Sequence, residues 1–149
     1  MRLLVLNGPN LNMLGIREPE LYGTQSYQAL EELIQETCET LDIDVEIFQS
    51  NHEGDLVDEI QNAWHRKDAI IINPAAYTHT SVAILDALRA VGLPAVEVHL
   101  TDIQEREGFR RVSYAGMACE RTIAGEGFQG YVRAVHYLRD RLSGSISEM

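Results

Sequence analysis

Four short runs rich in apolar and β-branched residues recur along the chain: Leu3 to Leu6, Val45 to Phe48, Ala69 to Ile72 and Ala95 to Val98. Each has the length of a buried strand, and the segments between them carry a helical period instead. Tyr27, Leu30, Leu33, Ile34, Thr37 and Leu41 fall three and four apart, with Glu31, Glu32, Glu36 and Glu39 on the opposite side, which predicts one amphipathic helix. Ser50-Asn51-His52-Glu53 has the form of a capping box, and Leu56, Val57, Ile60 and Trp64 continue as the apolar face of a second helix. Val82, Leu85, Leu88, Ala90 and Val91 give a third, closed by Gly92 and by Pro94 before the next strand. A fifth, weaker strand is expected at Thr122 to Ala124 and a last helix from about Gly127 to Leu142. Ser143 to Met149 reads as a polar, frayed tail.

Strand alternating with helix implies an α/β fold, a parallel sheet covered by helices on both faces through right-handed crossovers. Five strands of this size suggest the flavodoxin-like three-layer sandwich with strand order 2-1-3-4-5. The 149 residues suit one domain, 1–149. The formal charge of −11 argues against nucleic acid or an anionic membrane as partner. An anionic small molecule remains compatible if particular arginines supply positive charge locally. Cys38 and Cys119 are too few for a disulfide framework, and Cys38 reads as a small packing residue. The chain opens on a strand pattern without a charged-then-apolar leader and has no run of membrane-spanning length, so a cytoplasmic location is expected.

The connection after the first strand, Asn7 to Gly23, is long for a strand-to-helix loop. It carries Asn10, Asn12, Arg17 and Tyr22. After the third strand come Asn73, Tyr77, His79 and Ser81, and after the fourth His99, Thr101, Asp102, Arg106 and Arg110. In the order 2-1-3-4-5 those three strands are neighbours, and ligands bind outside their carboxyl ends. Taken singly, each residue has an ordinary structural role. The asparagines cap turns, Tyr22 packs, His99 is a half-buried histidine, His79 leads into a helix, and Arg106 and Arg110 form a solvated face. His52 reads as a helix-start residue, and His65 and His136 as surface or packing residues. Their convergence at one end of one sheet is what favours a site.

Several chemistries fall away. The single lysine, Lys67, precedes the third strand at the other end of the sheet, which disfavours Schiff-base catalysis. No His/Cys/carboxylate grouping has metal-ligand spacing, and Ser81 lies in no Gly-x-Ser-x-Gly elbow. Acid–base chemistry by tyrosine and histidine on an anionic substrate remains. A free tyrosine, with a pKa of about 10, is a poor base, but Arg17 five residues before Tyr22 would favour phenolate.

The stretches Leu6 to Asn12, Arg17 to Gly23, Gln49 to Gly54, Ile72 to Pro74, Tyr77 to Ser81, Glu97 to His99 and Arg106 to Arg110 together closely resemble type II 3-dehydroquinate dehydratase, over most of the chain up to about Tyr131. The resemblance implies a flavodoxin-like fold, a dodecamer built from trimers, no cofactor or metal, and anti dehydration of 3-dehydroquinate to 3-dehydroshikimate through an enolate. It implies Tyr22 as base, Arg17 as the cation that keeps it ionised, Asn10 as holder of a water at the enolate oxygen, and His99 as acid with Glu97 orienting it. It further implies Asn73 and the backbone amides of Leu100 and Thr101 as the carboxylate site, and His79 and Arg110 as ligands of ring hydroxyls. Asp86 would enter from an adjacent subunit, and Arg106 would support a lid carrying Arg17 and Tyr22. The family more often shows Ile-Ser-Asn where this chain has Leu100-Thr101-Asp102, a glutamate at Gly108, and small or basic residues at Glu120-Arg121. Asp102 adds negative charge near an anionic substrate. A carboxylate-binding module without activity, or a flavin or nucleotide carrier on the same fold, are the other readings. The first loop lacks the phosphate cradle that a nucleotide carrier needs.

Overall fold

The computed structural model describes residues 1–16 and 25–144. Five strands, β1 (Arg2–Asn7), β2 (Asp44–Gln49), β3 (Ala69–Asn73), β4 (Ala95–His99) and β5 (Arg121–Ala124), form one parallel sheet in the order β2-β1-β3-β4-β5. The helices are α1 (Tyr27–Thr40), α2 (Glu53–Asn62), α3 (Val82–Val91) and α4 (Gln129–Leu142). The flavodoxin-like architecture is therefore the one the alternating pattern predicts.

Because side chains alternate along a strand, each strand divides its residues between the two faces. Leu3, Val5, Ala69, Ile71, Val96, Val98 and Ile123 pack under Leu30, Ile34 and Cys38 of α1 and Tyr131, Ala134, Val135 and Leu138 of α4. Leu4, Leu6, Ile70, Ile72 and Ala95 pack under Leu56 and Ile60 of α2 and Ile84, Ala87 and Leu88 of α3. Both faces are covered, which is why the central strands read as continuous apolar runs.

Cys38 is fully buried, and burial pushes its thiol up to about 11, as befits a packing residue. Two local expectations are corrected. Trp64 is 60% exposed, because α2 ends at Asn62 and the ring lies against His65 on the surface. Ser50 is not the cap of α2. The helix starts after His52, and the Ser50 hydroxyl instead accepts from the His52 N–H at 2.9 Å and donates to Asp55 at 2.7 Å. The tail residues 145–149 lie outside those described.

The carboxyl ends of β1 and β3 approach each other closely. Gly8 N–H donates to the Asn73 carbonyl at 2.8 Å, and a β-carbon on Gly8 would lie 2.4 Å from the Pro74 carbonyl oxygen. Backbone on both sides leaves no flexible side chain to move aside. Gly8→Ala is therefore expected to cost about 1–3 kcal/mol, as overpacking does, read as a lower urea midpoint with an unchanged denaturant slope.

Candidate active site

Between β1 and β3 the chain changes the side of the sheet on which it adds strands, so their ends open into a crevice. Among the described residues, two adjoining clefts open there. One of about 410 Å³ is lined by Pro9, Asn10, Leu11, Leu14, Asn73, Ala75 and Leu100. Another of about 390 Å³ shares Pro9, Asn10 and Ala75 with it and adds Ala76, His79, Arg106 and Arg110. Arg17 and Tyr22 lie outside the described residues.

The first loop is held from β2. Gln49 donates to the Gly8 carbonyl at 3.2 Å and to Asn51 at 3.2 Å, and the Asn51 oxygen accepts the Asn10 N–H at 3.0 Å. Tyr77 in turn donates to the Asn51 carbonyl at 2.8 Å. These contacts fix Asn10 in a left-handed conformation with φ 70°, which Asn tolerates better than most residues.

Alternation places polar side chains from adjacent strands on opposite faces of the same sheet edge. On the α1/α4 side, Asn7 and Asn73 are register partners. The hydroxyl of fully buried Tyr131 sits between them, donating to Asn7 Oδ1 at 2.7 Å and accepting from Asn73 Nδ2 at 3.0 Å. Burial raises the Tyr131 hydroxyl well above the ordinary phenol value, so it stays a neutral hydrogen-bonding group.

On the α2/α3 side, Glu97 has no solvent exposure. It accepts from Thr78 at 2.7 Å, from Thr122 at 2.9 Å and from Ser113. Thr122 is its register neighbour on β5, whereas Thr78 and Ser113 arrive from loops. A β-carbon on Gly116 would lie 2.8 Å from Glu97 Oε1, so the loop after Ser113 also closes tightly on the carboxylate. Two residues on, His99 brings Nε2 to 2.9 Å from Glu97 Oε2. That ring nitrogen makes no aligned hydrogen bond among the described residues. Burial alone would raise the Glu97 carboxyl, but His99 and the hydroxyls outweigh it and hold the pKa at about 2.

His79 is half-buried, and its Nδ1 lies 2.7 Å from the Val112 carbonyl. A carbonyl only accepts, so Nδ1 carries the proton and a neutral ring offers Nε2 as an acceptor. Burial, with the nearby positive groups of His99, Arg110 and Arg106, lowers the His79 pKa against the raising effect of that carbonyl. Arg110 donates to Glu107 at 2.6 Å and stacks beside Phe109. Asp102 is turned to structural use, accepting the Gln104 N–H at 2.9 Å as the cap of the short 3-10 turn Ile103–Glu105, and it lines neither cleft. Asp86 is exposed on α3.

The structure thus brings together Asn10, Asn73, His79, Leu100, Arg106 and Arg110 around the clefts, whereas Glu97 and His99 are buried and line neither. Sequence reasoning passed over Tyr131, Ser113 and Thr122 as functional groups. Only the Glu97–Thr122 pairing could have been found, by aligning β4 with β5.

A family model described as Dehydroquinase class II matches residues 1–139. The chain belongs to the class II dehydroquinase family. That makes it an enzyme, a hydro-lyase. A 3-dehydroquinate dehydratase of Clostridium acetobutylicum is 46% identical over 143 residues, 96% of this chain and 99% of that one. One of Caldicellulosiruptor bescii is 49% identical over 142 residues, 95% and 98% of the two chains. The crystal structure of type II dehydroquinase from Butyrivibrio crossotus superposes with a TM-score of 0.92 at 48% identity, covering 93% of this chain and 97% of that one. No helix among the described residues is long and apolar enough to cross a membrane.

The depressed Glu97 pKa has a consequence for stability. A carboxyl held at about 2 in the folded chain, against an ordinary 4.5, stabilises the fold fully above about pH 5 and loses that contribution as pH falls towards 2. Urea midpoints measured from pH 6 to pH 2.5 should therefore fall more steeply for the unsubstituted chain than for Glu97→Gln, which is less stable at pH 6 but has no proton to gain there. Parallel slopes for the two would remove Glu97 as a source of acid sensitivity.

Proposed function

We propose that this chain removes water from 3-dehydroquinate by anti elimination through an enolate, giving 3-dehydroshikimate. Family membership supports the reaction. The observation that carries its assignment to this cleft is the buried Glu97–His99 pair beside a crevice where Asn10, Asn73, His79, Arg106 and Arg110 converge.

The chemistry needs a base at the carbon beside the ketone, a stabiliser for the enolate, and an acid for the departing hydroxyl. Tyr22 is the proposed base, with the Arg17 guanidinium favouring its phenolate. Asn10 holds a water that hydrogen-bonds the enolate oxygen. Glu97, 2.9 Å from the His99 ring, holds it in place, and His99 delivers its proton to the leaving hydroxyl. The C–O bond breaks, water departs and the enolate collapses to a conjugated enone, the proton taken from carbon remaining on Tyr22. The Asn73 amide and the backbone N–H groups of Leu100 and Thr101 receive the substrate carboxylate. Neutral His79 accepts from a ring hydroxyl at Nε2, and Arg110 donates to another. Arg106 supports closure of the segment bearing Arg17 and Tyr22 over the substrate, which excludes water.

Asp86 completes the site from a neighbouring subunit in a dodecamer, a tetramer of trimers. Its exposure on the single chain is what such a role requires. The same reaction serves the shikimate pathway of aromatic biosynthesis or quinate breakdown, in the cytoplasm, and uses no cofactor.

Formation of the enone is followed by ultraviolet absorbance with purified protein and 3-dehydroquinate. Tyr22→Phe and His99→Ala should each lower kcat by about 100-fold or more, the range of a lost acid or base, while a product analogue still binds. Near-wild-type turnover in either variant removes its residue from the proposed role. A mass measurement in solution should give twelve copies, and a fully active monomer would take Asp86 out of the site.

A further inference from the structure

At the edge of the cleft lined by Asn73 and Leu100, the Asn73 amide is gripped from two directions, and one backbone group determines how. The Ala75 N–H can only donate, and it lies 3.1 Å from Asn73 Oδ1, a short Asx turn across Pro74. The oxygen end of the amide is therefore committed to Ala75, and the nitrogen end faces Tyr131. A nitrogen there can only donate, so the Tyr131 oxygen accepts and its own proton must go elsewhere. It goes to Asn7 Oδ1 at 2.7 Å, which turns Asn7 Nδ2 towards the Tyr27 oxygen at 3.2 Å. Three hydrogen bonds thus run in one sense from Asn73 through Tyr131 and Asn7 to Tyr27. Asn7 and Tyr131 are fully buried and Asn73 nearly so, where a misdirected amide would leave polar atoms unpaired.

We infer that Tyr131 is a positioning residue for substrate binding. It acts through Asn73, holding the amide plane so that the second Nδ2 hydrogen is presented to an anionic group in the cleft. The terminal torsion of asparagine is broad. With the Ala75 contact alone the amide can pivot about its oxygen; with Tyr131 on the nitrogen it cannot. Asn73 has two N–H groups, and since one is spent on Tyr131, the direction of the other is set by that bond. Tyr131 itself lines neither cleft, so it reaches a ligand only through the asparagine.

This inference rests on the proposed dehydration and on Asn73 as a carboxylate ligand, and a mutant cycle tests it. Tyr131→Phe, Asn73→Ala and the double variant are assayed for kcat and KM with 3-dehydroquinate, each confirmed folded by circular dichroism. Tyr131→Phe should raise KM about five- to tenfold, the size of one lost neutral hydrogen bond, with kcat within about twofold. In the Asn73→Ala background the same change should move KM less than about twofold, since the group it orients is gone. An equal KM effect in both backgrounds, or none in either, overturns the inference, even if the urea midpoint falls. Should Tyr131→Phe not fold, Asn7→Ala takes its place in the cycle with the same expectation. A wild-type chain that does not turn over 3-dehydroquinate overturns the dehydration reading and this inference with it; turnover with an unmoved KM overturns only the inference.

Discussion

A carboxylate with no access to water, Glu97, stands in the fourth strand of the sheet, and much of the structure around the cleft exists to satisfy it. Isolated in a protein interior, such a charge would be neutralised or would destabilise the fold. Here three hydroxyls donate to it and a histidine lies against it. They come from the strand alongside, from the turn after β3 and from the segment after Arg110, so the charge fastens three pieces of chain to one point. Because Thr78 precedes His79, and Ser113 follows Val112, whose carbonyl accepts from His79 Nδ1, satisfying Glu97 also sets where His79 stands. The Tyr114 N–H, bonded to the Thr78 carbonyl at 2.7 Å, closes the same loop pair from the backbone.

The sheet separates two tasks by parity. On one face of its carboxyl edge stand a buried carboxylate and a histidine. On the other, neutral amides are joined through a buried phenol. The separation puts the Glu97 charge and the neutral amides on opposite faces of the sheet. It follows from alternation along β1, β3 and β4 together with the register that pairs Asn7 with Asn73 and Glu97 with Thr122. The net charge of −11 makes such local arrangement necessary, since the molecule as a whole repels anions.

Much of this was legible in the chain. The strand runs and helical stripes predict the strands and helices and their alternation along the chain, because burial on both faces writes itself into apolar runs. The cluster Asn73, His79, His99, Arg106 and Arg110 was visible because loops after parallel strands share one edge. Trp64 was misjudged because its spacing continues the α2 stripe past the point where the helix stops. Ser50 was misjudged because a capping-box pattern does not say which residue the backbone uses as its cap. Asp102, a cause for concern as a charge near an anionic substrate, spends its carboxylate on a backbone N–H, a use that its identity alone does not reveal.

The sequence by itself determined the fold class, the strand order through family likeness, and which residue types gather at the cleft, since these depend on local periodicity and on motifs contiguous in the chain. Only the tertiary structure decided that Tyr131 stands between Asn7 and Asn73, 124 and 58 residues away, or that Ser113 and Thr122 enclose Glu97. Those contacts depend on how a helix sits on a sheet and how a loop returns to it. Hydrogen bonds are short and directional, so a shift of an ångström in that packing would break them, and no periodicity along the chain encodes it.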